Sequence, residues 1–97
     1  MIAILEIRNN NHISLFFVDG KYQGIGIGRE MFKFYLNMTE NDQKFRQEIS
    51  VNSSPNSVLF YEKLGFKKVG LEKEKHGIRY NPMIYKIPTK PTLTSFS

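Results

Sequence analysis

Hydrophobic positions along the chain change period several times, and each change predicts an element. In residues 2–18, IAILEIRNNNHISLFFV, apolar side chains fall at strand spacing on either side of three asparagines. Asparagine tolerates left-handed backbone angles, so Asn9, Asn10 and Asn11 predict the tight turn of a hairpin. In the second strand a period of two puts Ile13, Leu15 and Phe17 on one face and Ser14, Phe16 and Val18 on the other. Two largely apolar faces predict a central strand covered on both sides. From Ile27 the period lengthens. Ile27, Met31, Phe34, Tyr35 and Met38 fall at helical spacing as one stripe, and the polar run TENDQK (39–44) ends it.

The strand period returns in FRQEISV (45–51), with Phe45, Ile49 and Val51 on one face and Gln47 among them. NSSPNSVLFYEKLGF (52–66) then predicts a helix with clear punctuation. Ser54 suits the N-cap, and Pro55 the first helical position, where its missing N–H is no loss. Gly65 is the expected left-handed residue at the C-terminus, folding Phe66 back on Tyr61. KKVGLEKEK and NPMIYKI predict a closing antiparallel pair joined through His76 and Gly77. The order is strand, strand, helix, strand, helix, strand, strand, and helices packed on a mixed sheet are the economical α/β (α+β) solution. Residues 1–87 are expected to form one domain and residues 88–97, PTKPTLTSFS, a flexible tail.

Composition narrows the function classes. The chain has 97 residues, 40 % of them hydrophobic, which suits a single domain. No segment approaches the roughly 20 apolar residues of a membrane span, and no small-residue cleavage site follows Met1. With no cysteine there is neither disulfide nor thiolate chemistry, which points to the cytoplasm. No cluster of acidic or histidine residues supports a metal site. His12 is placed at the hairpin turn and His76 in a basic loop, both as surface residues. The net charge of +5 suits an anionic ligand or a merely basic surface. Lys67, Lys68, Lys73 and Lys75 lack the aromatic interleaving used to bind single-stranded nucleic acid, so nucleic acid is not the expected partner.

The stretch VDGKYQGIGIGREMFKFYL (18–36) carries the candidate chemistry. Three glycines at alternate positions open a helix, where unpaired N–H groups and the helix dipole favour an anion. Standard phosphate fingerprints fail: G-x-G-x-x-G needs glycine where Arg29 stands, and the P-loop pattern has no match. A flexible strand-to-helix connection explains the glycines equally well on their own. The six residues Gln23-Gly24-Ile25-Gly26-Ile27-Gly28, however, resemble the Q/R-x-x-G-x-G/A pyrophosphate loop of the GNAT superfamily of N-acetyltransferases. NSVLFYEKLGFKKVG (56–70) resembles that family's tyrosine-bearing helix and its Gly-Phe terminus. Both motifs occur in the family's order, over residues 2–87.

The resemblance implies acetyl-CoA as co-substrate and a primary amine as acceptor. Main-chain N–H groups of Gly24, Ile25, Gly26, Ile27, Gly28 and Arg29, with Gln23 leading the loop, would hold the pyrophosphate. Pantetheine would lie against Phe16, Phe17 and Val18 like an added strand. The Val18 N–H is the candidate oxyanion donor. Tyr61 matches the tyrosine that serves the departing thiolate as a proton donor. Ser54 stands where many relatives carry a cofactor-contacting asparagine, and Asn56 is a candidate substitute. Where some relatives place a basic glutamate this chain has Ile49, with Glu48 pointing the other way. Glu6 is an outside candidate for the base, and none is assigned.

Family members usually begin with a strand, two helices and a further strand that wall the acceptor site. Here Met1 opens almost directly on the strand before the cofactor strand. A fragment, a naturally short member and a subunit-completed enzyme all fit, and an uncovered sheet edge favours a homodimer. Three functions compete: an N-acetyltransferase, an acyl-CoA-binding protein without turnover, and a non-enzymatic interaction module on the same scaffold.

Overall fold

The computed structural model describes residues 3–8, 11–39 and 48–87. Among them, six strands and two helices follow the expected order with one strand more, because the segment KKVGLEKEK forms two short strands instead of one: β1 (Ala3–Arg8), β2 (His12–Val18), α1 (Ile27–Thr39), β3 (Glu48–Ser53), α2 (Val58–Leu64), β4 (Lys67–Lys68), β5 (Lys73–Lys75) and β6 (Ile78–Lys86). Across the sheet the order is β1-β2-β3-β6-β4, with β5 paired to β6. Every pairing is antiparallel except β2 with β3. Phe45, Gln47, most of the helix-ending run and the C-terminal ten residues lie outside the described residues, as do Asn9 and Asn10. Asn11 does adopt the left-handed conformation, φ 61°.

A β-bulge overturns the predicted faces of β2. The β1–β2 register slips between Glu6 and Ile7, so that Ile7 faces Ile13 while Glu6 faces Leu15, and Ser14 is the extra residue. Because β1 runs on uninterrupted, Leu5 and Ile7 share a face, and so do their partners Phe16 and Ile13. That face carries the core: Ile13, Ile49, Val51 and Met83 are buried in the sheet, with Leu5, Ile7 and Phe16 packed beside them. Leu15 and Phe17 turn to the opposite face and remain 45 % and 48 % exposed. β2 is interior in the sheet, as expected, but among the described residues it is covered on one side only.

Helix α1 is likewise rotated from its predicted stripe. Gly28 and Phe32 are buried, with Met31, Tyr35 and Leu36 half-buried, whereas Phe34 and Met38 are each 66 % exposed. The reason lies at Gly28, which the apolar pattern passes over. A Cβ there would sit 3.0 Å from Phe60 Cζ and 3.3 Å from Val18 Cγ2, so a bare position lets α1 approach α2 and β2 closely. The row one and two turns on, Phe32 and Leu36, follows it inward.

The second helix ends as its sequence predicts. Gly65 has φ 112°, its N–H bonds to the Glu62 carbonyl, and the Phe66 N–H bonds to the Tyr61 carbonyl, each at 3.0 Å. Phe66 folds back with its ring centroid 5.3 Å from that of Tyr61. At the other end Ser54 and Pro55 open a 3₁₀ turn, Pro55–Ser57, and α2 proper begins at Val58. The closing pair also forms, with His76 and Gly77 at φ 54° and 79° turning β5 into β6.

Candidate active site

The parallel pair β2–β3 opens like a V. Its ladder holds only at His12↔Ser50 and Ile13↔Val51, although β2 continues to Val18 and β3 to Ser53. Both strands run toward the open end, so the segments that follow them flank one crevice, the usual ligand position outside parallel strand ends. The glycine loop follows β2; Ser54 and Asn56 follow β3. Both of the latter are exposed, and the Ser54 hydroxyl donates to Ser57 Oγ at 3.0 Å rather than capping a backbone amide.

The loop is shaped by its own side chains. Asp19 caps a short 3₁₀ turn, Gly20–Tyr22, by accepting the Lys21 N–H at 3.0 Å. Gln23 then folds back and donates from Nε2 to the Val18 carbonyl at 2.8 Å. Gly24 and Gly26 sit at φ 83° and 87°, and a Cβ on either would meet nothing within 4 Å. Backbone angle, not crowding, therefore requires glycine at these two positions. The Glu30 N–H bonds to the Gly26 carbonyl at 2.9 Å, closing the first turn of α1. Ahead of that bond the amides of Gly26, Ile27, Gly28 and Arg29 have no intrahelical acceptor. Gly24, Ile25, Gly26 and Arg29 are exposed, which leaves the loop's surface open to an anion. A diphosphate fits such a cradle in charge and in donor set.

On the helix side of the V lies an aromatic floor. Phe16 meets Phe60 edge-on at 5.3 Å and Tyr61 at 6.2 Å, and Tyr61 contacts Phe60 and Phe66 at 5.3 Å each. Edge-to-face pairs of this kind add about 0.5–1.5 kcal/mol each beyond area burial. Tyr61 is buried, and that burial pushes its phenol up to about 12. Phe60 was not singled out by the sequence pattern. Its place beside the tyrosine on an amphipathic helix is the signal that could have found it.

The structure places Ile49 in the core and Glu48 in solvent, as the strand period predicts. Glu6 is exposed and engaged: Ser14 Oγ donates to its carboxylate at 2.6 Å and Arg8 lies at 3.3 Å. The Ser14 hydrogen bond and then the Arg8 charge hold the carboxyl below its usual range, so it is a poor proton acceptor. His12 departs from expectation. It opens β2, is half-buried, and its Nδ1 lies 2.7 Å from Ser50 Oγ. Among the described residues no three His, Cys, Asp or Glu side chains group as metal ligands, and no helix is long and apolar enough to cross a membrane.

Residues 1–87 match the sequence model of the acetyltransferase (GNAT) domain. The chain belongs to the GNAT acetyltransferase family. Solved structures agree on the fold of this GNAT domain. A GCN5-related N-acetyltransferase from Rhodopseudomonas palustris superposes with a TM-score of 0.73 at 16 % identity, over 89 % of this chain and 54 % of that one. A spermidine N-acetyltransferase chimera of Vibrio cholerae SpeG and hSSAT gives 0.68 at 18 %, over 89 % and 60 %. An Arabidopsis thaliana protein in complex with the bisubstrate analogue CoA-Ac-MVNAL gives 0.62 at 21 %, over 88 % and 62 %. No curated protein sequence matches. The GNAT domain described here thus spans between 54 % and 62 % of the length of these three structures.

Proposed function

We propose that the chain is an acetyl-CoA-dependent N-acetyltransferase acting on a primary amine by direct attack. Acetyl-CoA enters as the acetyl donor, a substrate rather than a resident group. The observation that carries this reading is the glycine loop that follows β2 at the open end of the β2–β3 V, with Gly24 and Gly26 at positive φ and α1 opening at Ile27. Gly24 and Gly26 set the curve, Gln23 holds it to Val18, and the amides bind the pyrophosphate. Phe16, Phe17 and Val18 line the path of pantetheine, with Ser54 and Asn56 on the opposite wall.

Tyr61 acts at the departing sulfur. A phenol at about 12 giving its proton outright to a thiolate of ordinary affinity, ~8.5, runs uphill by roughly 5 kcal/mol. Tyr61 therefore stabilises the developing charge by donating a hydrogen bond, and the proton follows from solvent. Tyr61→Phe keeps acetyl-CoA affinity and lowers turnover about tenfold or more, read as thiol release at saturating acetyl-CoA. An unchanged rate removes Tyr61 from the reaction.

Calorimetric titration with acetyl-CoA tests the reading. The chain binds and Gly26→Glu does not, because a carboxylate then stands in the anion's place on a strained backbone. A second reading, an acyl-CoA-binding protein without turnover, is favoured by one observation: Ile49, where some relatives place a basic glutamate, is an apolar side chain buried in the core. Thiol release across a panel of polyamines, lysine peptides and N-terminal peptides decides between them. The chain's lack of cysteine supports a cytoplasmic setting, and the exposed Leu15 and Phe17 support a homodimer.

A further inference from the structure

We infer that His12, oriented by Ser50, is the base that takes the proton from the acceptor amine. The inference rests on the acetyl-CoA reading above. An alkylamine of ordinary basicity, ~10.4, is neutral only about once in 2,500 molecules at pH 7, so the acceptor needs a proton acceptor at the site. Ile49 is sealed in the core, and Glu6 is held by Ser14 and Arg8. His12 stands where the V closes. It forms the last-but-one rung of the β2–β3 ladder, two residues from the Ser14 bulge.

The reach of the donor brings its thioester there. Pantetheine has about a dozen bonds between phosphate and sulfur, which at ~1.2 Å advance per bond spans roughly four strand residues. Counted back along β2 from Val18, that ends beside Ser14, so the oxyanion forms at the bulge and out of reach of the Val18 N–H. Tyr61 approaches this point from the helix-covered face, alongside Phe16. His12 pairs with Arg8 and Ser50, and its side chain reaches Ser50 on the face that carries Leu15 and Phe17. Leaving group and nucleophile are thus served from opposite faces of the sheet. With Nδ1–H donating to Ser50 Oγ, the lone pair rests on Nε2, the nitrogen left to face the acceptor.

The step balances as follows. The ammonium gives one proton to His12 Nε2, and the freed nitrogen lone pair attacks the thioester carbon to form the C–N bond. Collapse of the tetrahedral adduct breaks the C–S bond, and the thiolate is stabilised by Tyr61 before it takes a proton from solvent. The amide nitrogen sheds its second proton to water, and His12 returns its own to solvent. Other charged groups on this face include Arg8 and Glu6 on β1, Glu48 on β3, Lys86 opposite Glu48 on β6, and Lys67 of β4, which pairs with Ile84 next to Ser50.

The test compares the intact chain with His12→Gln and Ser50→Ala, using spermidine as a strongly basic probe amine and hydroxylamine as one already unprotonated at neutral pH. Acetyl-CoA affinity, measured by calorimetry, serves as the folding control and stays the same in all three. His12→Gln lowers kcat with spermidine on the order of 10²-fold and with hydroxylamine far less. Nitrogen-15 shifts of the His12 ring report the Nδ1–H form in the intact chain and a loss of that preference in Ser50→Ala. Equal losses with both amines, or no loss with either, overturn the inference. An intact chain that binds acetyl-CoA but acetylates neither amine overturns the role of His12 alone; one that does not bind acetyl-CoA overturns the parent reading with it.

Discussion

Tyr61 joins two roles that burial makes interdependent. It is the helix residue on which Phe66 closes the C-terminal cap and the phenol nearest Phe16. Burial raises its proton affinity to about 12, whereas an unfolded tyrosine releases its proton near ~10. The folded chain holds the proton where the unfolded chain loses it, so stability present below pH ~10 declines as pH rises to ~12, by up to ~3 kcal/mol. Tyr61→Phe removes that decline and leaves the packing intact. Its denaturant midpoint therefore falls less between pH 9 and 11 than that of the parent chain; parallel curves count against a buried phenol. Tyr35 adds a smaller slope of the same sign, because burial raises it too, while its hydroxyl donates to Asn11 Oδ1 at 2.7 Å.

Among the elements, what the sequence makes legible is local chemistry, and what it hides is decided by neighbours. The α2 terminus, Gly65 in a left-handed conformation with Phe66 folded on Tyr61, depends on residues within one turn of each other and is readable from them alone. The buried face of α1 depends on Gly28 meeting Phe60, which lies far along the chain, so a stripe built on Phe34 and Met38 points the wrong way. The faces of β2 fail for a similar reason. A period of two cannot register the single extra residue, Ser14, that hands the core from Ile13 to Phe16. The rotation of α1 yields a direct comparison. Phe32→Ala, emptying a site 2 % exposed, costs about 3–5 kcal/mol in chemical unfolding. Phe34→Ala, at an exposed site, stays within about 0.5 kcal/mol. Equal effects would restore the stripe read from sequence.

At the scale of the molecule, one sheet face is covered by both helices and the other carries Leu15 and Phe17 in the open. The glycine loop and the tyrosine helix were legible because each lies within one contiguous stretch, whereas the V, a relation between two distant strands, was not. His12 was not: it acquires its partner Ser50 only when β2 and β3, 38 residues apart at that rung, come into register. Leu15 and Phe17, toward the open end of β2, are what the proposed homodimer would cover, leaving His12 at the closed end of the V to the acceptor. Sedimentation equilibrium then shows a dimer that Phe17→Glu dissociates, whereas a parent chain monomeric at high concentration refutes that assembly. Beneath every functional statement lies the binding of a diphosphate by main-chain amides, and amide NMR during an acetyl-CoA titration addresses it most directly. The proton–nitrogen cross-peaks of residues 24–29 are expected to move together and saturate, those of Gly26 to Arg29 most. Cross-peaks that stay fixed there while acetyl-CoA binds elsewhere, or does not bind, contradict the account.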